Sequence, residues 1–398
     1  MVPVPRQAYY GRMPDRRLVA LLIETSNAYA RNLLRGIIRY VREQHRPWSI
    51  RLLEQGRGQT PPAWLKHWNG NGIIARIENR RIADAVSATR LPIVDVSAAR
   101  LLPELPWVET DDRAIAQLAL QHLEDRNFRS FAFIGDSQFQ WSCWRRDHFV
   151  SLVEAKGLPC PVHDFRTQSA RNVSEQRQRQ NLLDWLRKLP KPVGILACYD
   201  VLGHQVLDVC HEEELRVPDD IAVLGVDNDE LLCSLTIPPL SSVIPDAQGT
   251  GYEAARQLDL LMSSRKRAPE SVLMKPLGVC TRQSTDVLAI DDPDIAHAVR
   301  YIRDHALEGI NVQDVLTQVP LSRRALEIRF RDLLERTPHD EIMRVRIERV
   351  KELLLSTDLS LSEIAQRTGF RHVEYLSVAF RRSEGQPPSD FRKRRARV

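Results

Sequence analysis

Apolar residues in the first two-thirds of this chain fall in short continuous runs, each closed by a polar residue and followed by a stretch with helical spacing. Leu18–Glu24 (LVALLIE) is one such run, and Ala30–Gln44 follows with apolar positions at Leu33, Leu34, Ile37, Ile38 and Val41. Further runs at Trp48–Glu54, Gly72–Ile77, Pro92–Ser97, Phe131–Asp136, Gly194–Asp200 and Ala222–Asn228 are interspersed with helical patterns over Arg113–Asp125, Leu182–Leu189 and Leu202–Glu214. A strand that is apolar throughout is buried on both faces, so the pattern predicts parallel sheets covered by helices. Eight or so strands are too many for one small sheet. The spacing therefore predicts a tail over 1–16 and an α/β bilobal domain over 17–285.

The polar residues that close these runs are Glu24, Arg76, Asp95, Asp136, Asp200 and Asp227. Ligands of open α/β sheets bind beyond the carboxyl ends of the strands. Any one Asp here could instead cap the helix that follows; the set together points to a polar ligand in a cleft between lobes. The chain has no GxGxxG and no GxxxxGK[ST], so the usual phosphate cradles are missing. Carboxylates that accept paired hydrogen bonds, and an Arg that donates a planar fork, suit the vicinal hydroxyls of a sugar. Tyr29, Trp141 and Trp144 are candidates to lie against the apolar face of its ring, or to pack in the core.

After Thr285 the pattern becomes helical throughout. Asp286–Asp294 (DVLAIDDPD) reads as a linker over 286–294, and 295–398 as an all-α domain. Asp292 before Pro293 suits a helix cap and first helical position. A short helix over Val312–Val319 meets a turn at Pro320–Leu321, and Ser322 caps a second helix over Arg323–Glu335 with Leu326, Phe330 and Leu333 as its buried stripe. That is the helix-turn-helix pattern, and it recurs. Ser360-x-x-Glu363 forms a capping box, Leu361–Arg367 a short helix ending near Gly369, and His372–Arg382 a second helix burying Leu376 and Phe380. Between the units, Thr337 caps a helix over Pro338–Ser356 with a stripe of Met343, Ile347, Val350 and Leu354. Nineteen helical residues span roughly 28 Å, close to the ~34 Å between successive major-groove faces of DNA.

Charge sharpens this picture. The net charge is +5, yet residues 322–398 carry 18 Lys/Arg against 12 Asp/Glu, so the entire excess lies in the last fifth of the chain. A basic end on a neutral body suits double-stranded DNA. Arg323, Arg324, Glu327 and Arg331 on the first reading helix, and Arg371, His372, Glu374 and Ser377 on the second, are the candidate DNA-binding residues. Arg can donate to guanine and Glu accept from cytosine, while the tail Arg392–Arg397 (RKRRAR) can meet phosphates. The six cysteines are scattered without zinc-ligand or CxxC spacing, and no run approaches the ~20 apolar residues of a membrane span. The N-terminus has no secretory pattern. The expectation is a cytoplasmic protein with reduced thiols, no cofactor, no metal and no membrane partner.

Two resemblances add to this reading. Val108–Asp112 (VETDD) with Arg129–Asp136 (RSFAFIGD), and Pro218–Asp229 (PDDIAVLGVDND) with Leu240–Val243 (LSSV), resemble the LacI/periplasmic sugar-binding fold. The resemblance implies sugar contacts at Asp95, Arg145, Asp200 and Asp227, with Asp111 in the TDD motif and Pro245 where the family often has Gln. Residues from about 295 to 395, including Ser322–Phe330 (SRRALEIRF), Ile364–Phe370 (IAQRTGF) and Pro388–Arg392 (PSDFR), closely resemble the AraC/XylS-type DNA-binding domain. Pro320 stands where the first turn usually has Gly, and Ile328 where a polar side chain is usual. The two parts in this order resemble the xylose-operon regulator family along nearly the whole chain, through Ala28–Arg31 (AYAR), Asp227–Leu231 (DNDEL), Ser241–Val243 (SSV) and Arg282–Asp286 (RQSTD). With the rings of Tyr29 and Trp141, and with Arg31 in the AYAR stretch, the set of expected ligand-binding residues is complete. The resemblance implies a D-xylose-responsive activator that acts as a homodimer and meets RNA polymerase. Two other readings are an enzyme, such as a carbohydrate hydrolase with Asp200 and Asp227 as paired carboxylates, and a sugar-binding module with a protein-binding helical tail. The sequence offers the enzyme no nucleophile elbow, metal-spaced His cluster or phosphate loop.

Overall fold

Strand β1 (Arg17–Leu22), buried from Val19 onward, lies between β2 (Trp48–Leu52) and β3 (Gly72–Ala75), with β4 (Ile93–Asp95) beyond β3, all parallel. The computed structural model describes residues 16–53, 56, 59–165, 174–263, 270–286 and 292–393. The expected tail before Arg16, the middle of the linker and residues 394–398 at the end of the basic tail therefore lie outside the described residues. The chain divides into two compact units, residues 1–287 and 288–398.

In the first unit, α1 (Ala28–Glu43) connects β1 to β2 and α2 (Arg80–Ser87) connects β3 to β4. A bridge from Asp95 to Trp107 carries this sheet on to β5 (Val108–Thr110), which pairs in parallel with a strand from much later in the chain, β11 (Val272–Met274). The second lobe holds β6 (Phe131–Gly135), β7 (Val162–Asp164), β8 (Val193–Ala197), β9 (Ile221–Val226), β10 (Ser241–Ile244) and β12 (Gly278–Cys280), in the order β12-β10-β9-β8-β6-β7. Only β12 runs antiparallel. Helices α3 (Asp112–Glu124), α4 (Gln140–Glu154), α5 (Glu175–Lys188), α6 (Asp200–Glu212) and α7 (Glu230–Leu235) belong to this lobe. Helix α8 (Ala247–Ser263) returns to the first lobe and packs on α1.

That return depends on two glycines. A Cβ on Gly36 would run into the carbonyl oxygen of Gln248, and one on Gly251 into that of Leu33. The two helix backbones thus touch where neither has a side chain, and Leu33, Ile37, Ala254, Ala255 and Leu258 seal the contact from either side. Because α8 is held here, the described chain passes between the lobes three times: after β5, after β10 and after β11.

The strand runs expected from the sequence are all present, though the strands are shorter. Strand β3 stops before Arg76 and β4 at Asp95, where a polar side chain leaves the sheet for a hydrogen bond. The three-residue strands β5, β7, β11 and β12 are too short to show a period. Helix α4 was not anticipated because its apolar residues surround it instead of forming one stripe.

The second unit opens with α9 (Pro293–His305), capped by Asp292, whose carboxylate accepts from the amides of Asp294 and Ile295. Helix α10 (Val312–Leu316) is shorter than expected. Thr317 ends it, with its hydroxyl turned onto the Asp314 carbonyl. Ser322 caps α11 (Arg323–Leu334) through the Ala325 amide. The expected stripe is corrected at its last position: Leu333 is 39% exposed, and Leu334 completes the buried line with Leu326 and Phe330 at i, i+4, i+8. The long helix α12 (Pro338–Ser356) has the expected bounds and Thr337 cap. Helix α13 (Leu361–Arg367) begins at the Ser360/Glu363 capping box, and α14 (Val373–Glu384) buries Leu376 and Phe380. Helix α15 (Pro388–Arg392) closes the fold, with Phe391 edge-on to Phe380.

Helix α12 belongs to two cores. Ile342 joins Ile295, Ile302, Leu326 and Phe330 in one, and Ile347, Val350 and Leu354 join Ile364, Leu376 and Phe380 in the other. Arg346 sits between them, 8% exposed, and donates to the carbonyls of Ala306 (2.8 Å) and Ile310 (2.7 Å) while its guanidinium lies 5.8 Å from the Phe370 ring. Gly369, at φ +72°, has no room for a side chain: a Cβ would sit 2.7 Å from the Ala306 carbonyl oxygen. The turn of the second half thus abuts the first half directly.

Gly36→Ala and Gly251→Ala should each destabilise the first unit by about 1–3 kcal/mol, the usual cost of overpacking a close contact. The shift in its thermal or urea midpoint measures this, and unchanged midpoints would show that α1 and α8 can separate freely.

Candidate ligand cleft and nucleic-acid interface

The carboxyl ends of the strands of both lobes face a cavity of about 240 Å³. Its walls are Ser26, Asn27 and Ala28 from the first lobe, and Phe139, Tyr199, Asp200, Val201, Asp227, Asp229 and Leu232 from the second. At ~30 Å³ per water, this is space for about eight waters, the scale of one small sugar.

Asp200 opens α6 and is 1% exposed. Its two oxygens accept from the Ser242 hydroxyl (2.6 Å) and the Asp229 amide (2.7 Å). Burial, reinforced by the charge of Asp227, pushes its carboxyl up to about 8, so that it is largely protonated at neutral pH. Asp227 follows β9 at φ +110° and Asn228 at φ +48°, two successive non-glycine residues in sparsely populated backbone. Such strain persists only where the surroundings hold it. Arg282 does this by donating to the Asn228 side-chain oxygen (2.8 Å) and to the Leu240 carbonyl (2.9 Å).

Arg145, on α4, is buried at the base of the second lobe. It donates twice to one oxygen of Asp112 (2.9 and 2.6 Å) and also to the Cys198 carbonyl. Its guanidinium lies 5.4 Å from the Trp141 ring, which in turn stacks on Phe139 (5.3 Å) and meets Tyr199 edge-on (5.5 Å). Phe139 and Tyr199 are thus the aromatic walls of the cavity, and Trp141 supports both. Trp144 faces elsewhere: Arg100 lies 5.3 Å from its ring and 3.1 Å from that of Trp107, so the side chain joins the two lobes beside the first crossing.

In the first lobe, Tyr29 is buried with its hydroxyl on Thr110 (2.8 Å). Arg76 beside it pairs with Glu24 and with Glu78 (2.6 Å). Burial disfavours the charged guanidinium, but Glu24 and Glu78 outweigh it and hold Arg76 above its ordinary value. Burial also pushes Glu109 up to about 8 and Asp95 to about 7. Asp95 accepts from the Ser97 amide (2.9 Å), Asp136 from that of Gln138 (3.1 Å), and Asp111 caps α3 through Ala114 (2.9 Å). Arg31 is exposed at the cavity rim and reaches across to Asp229 at 3.8 Å.

Of the residues expected around a ligand, Asp200 and Asp227 line the cavity. Trp141 backs its aromatic wall, Arg31 stands at its rim, and Tyr29, Asp95 and Arg145 are buried outside the lining, with Tyr29 and Arg145 close enough to feel the charge of Asp227. Sequence reasoning missed Asn27, Phe139, Tyr199 and Asp229. Asn27 and Asp229 cap α1 and α7 just after strands, a signal that could have placed them at the cleft.

In the second unit, Arg323, Arg324 and Arg331 are exposed on α11, with Arg323 paired to Glu327 at 3.1 Å. Arg371 and His372 stand exposed at the start of α14 with Glu374. Ser377 is half-buried and its hydroxyl donates back to the Val373 carbonyl. Arg329, not singled out beforehand, ties α11 to the start of α9 through Asp292 (3.0 Å) and Asp294 (3.5 Å). No helix among the described residues is long and apolar enough to cross a membrane.

Comparison with known proteins matches three family models in succession: an XylR N-terminal domain over residues 18–113, a periplasmic binding protein-like domain over 120–285 and a helix-turn-helix domain over 315–394. The xylose operon regulatory protein of Escherichia coli K12 is 32% identical over 384 residues, covering 95% of this chain and 97% of that protein. The protein of the same name from Haemophilus influenzae is 32% identical over 381 residues, covering 94% and 97%. A solved structure described as the xylose-binding transcription activator xylR superposes with a TM-score of 0.77 at 31% identity, covering 95% of this chain and 98% of that one. The transcriptional regulator CelR–cellobiose complex matches at a TM-score of 0.54 and 20% identity over 68% of this chain and 86% of that one, a likeness of fold. With a periplasmic-binding-like sensor followed by a helix-turn-helix reader, and with relatives of this identity along nearly its whole length, the chain belongs to the xylose operon regulatory protein family of DNA-binding transcription regulators.

Proposed function

We propose that this regulator is a D-xylose-dependent activator whose effector binds in the cleft between the sensor lobes. The observation that carries this reading is the cavity itself, whose lining brings Asp200 and Asp227 together with the rings of Phe139 and Tyr199. Carboxyl oxygens accept from sugar hydroxyls, and a carboxyl that keeps its proton also donates, while the rings cover an apolar sugar face. The relatives' names supply the identity of the sugar. Arg145 and Trp141 support the wall, Tyr29 and Asp95 brace the first-lobe strand ends, and Arg31 draws the lobes together at the rim. A sugar that binds the closed cleft more tightly than the open one shifts the population towards closure. The regulator acts in the cytoplasm as a homodimer that meets RNA polymerase at its promoter.

In this reading Arg323, Arg324, Glu327 and Arg331 on one helix, and Arg371, His372, Glu374 and Ser377 on the other, meet successive major-groove faces of one duplex. Helix α12, with 19 residues, sets their spacing. Base contacts by these side chains give sequence preference, and phosphate contacts by the remaining arginines give affinity.

D-xylose at ~100 times its Kd should stabilise the sensor by roughly 2.7 kcal/mol in a thermal-shift assay. Asp227→Ala should abolish that shift while leaving basal DNA binding intact, as should Arg145→Ala if the sensor stays folded. Unchanged sugar affinity by calorimetry in both variants would remove the site from the cleft. For the reader, Arg324→Ala should weaken specific binding by ~1–3 kcal/mol if its fork meets a guanine. Competition against random duplex checks this, since an equal loss on both DNAs would reduce Arg324 to a phosphate contact.

A further inference from the structure

The two reading helices align residue for residue from their caps. Ser322 precedes α11 and His372 precedes α14, so Leu326 matches Leu376, Phe330 matches Phe380 and Arg331 matches Arg381. At the sixth residue after each cap stands a β-branched apolar side chain: Ile328, 48% exposed, and Val378, 66% exposed. Neither belongs to a core. Helical spacing puts Arg324 and Arg331 one turn either side of Ile328, and Glu374 and Arg381 one turn either side of Val378, so each apolar group is centred among charged side chains.

Folding gives no reason for this placement. Ile and Val are weaker helix formers than the straight-chain residues suited to an exposed helical position, and their apolar surface stays in water. Their recurrence at one register in two otherwise different reading faces calls for an apolar feature on the partner. The major groove of DNA offers one, the C5-methyl group of thymine.

We propose that Ile328 and Val378 each pack on a thymine methyl, one in each half of the binding site, so that apolar readout sits between the polar contacts of both helices. The inference rests on the reading of α11 and α14 as the DNA-reading helices. It makes a thymine at the same place in both half-sites a requirement of the operator.

The test uses the full chain with D-xylose and the duplex that it enriches from a randomised pool. Each thymine is replaced in turn by deoxyuridine, which removes only the methyl group. The wild type should lose about fourfold in affinity at one thymine in each half, the value of one buried methyl-sized group. Ile328→Ala should lose the sensitivity in one half alone and Val378→Ala in the other alone. Both positions are exposed and Ala favours helix, so the variants remain folded, which circular dichroism checks. Indifference of the wild type to every thymine methyl, half-sites lacking thymine, or sensitivity retained in both variants would overturn this inference and leave the reading helices standing. Failure to enrich any sequence would overturn both.

Discussion

The backbone-to-backbone contact of α1 and α8 is the constraint on which the sensor depends. Gly36 and Gly251 let two helices more than two hundred residues apart in sequence approach without side chains between them. Helix α8 is thereby committed to the first lobe although the strand before it, β10, lies in the second. The chain must cross back, lay β11 beside β5, and cross again to place β12 on β10. Three connections therefore link the two lobes, and the carboxyl ends of strands from both border one cavity.

Facing strand ends gather buried carboxyl groups. Asp200, Glu109 and Asp95 all respond by holding their protons more tightly, while Glu24, Glu78 and Asp112 are matched by the buried guanidinium groups of Arg76 and Arg145. The strand ends around the cleft are therefore rich in hydrogen-bonding groups yet carry less negative charge than their composition suggests. That combination suits a neutral, hydroxylated ligand and disfavours a phosphate.

The reader solves a different problem, holding two small cores at a fixed separation. A helix shared by both cores does most of this, but a shared helix alone would allow each half to pivot about it. Arg346 and Gly369 remove that freedom, one by bonding the carbonyls of the first half's turn and the other by letting the second half's turn close upon it. Both contacts use backbone groups of the first half, so they do not depend on the side chains of the reading faces.

Much of this was legible in the residues. Caps at Asp292, Ser322, Thr337 and Ser360 act within one helical turn, so local chemistry alone determined where α9, α11, α12 and α13 begin. The apolar runs likewise determined the major strands, because burial on both faces leaves a continuous signal. What the sequence by itself determined is thus the two-part order of sensor and double reader, and the polar residues that end the strands. The tertiary structure alone decided which of those residues share a cavity. Asp200 and Asp227 meet there, whereas Asp95 and Asp136 turn back on neighbouring amides, and Phe139 and Tyr199 rather than Trp144 form the aromatic wall. It also decided that Leu334, not Leu333, enters the core, and that α4 is a helix at all. These outcomes depend on contacts between residues far apart in the chain, which no local period or spacing records.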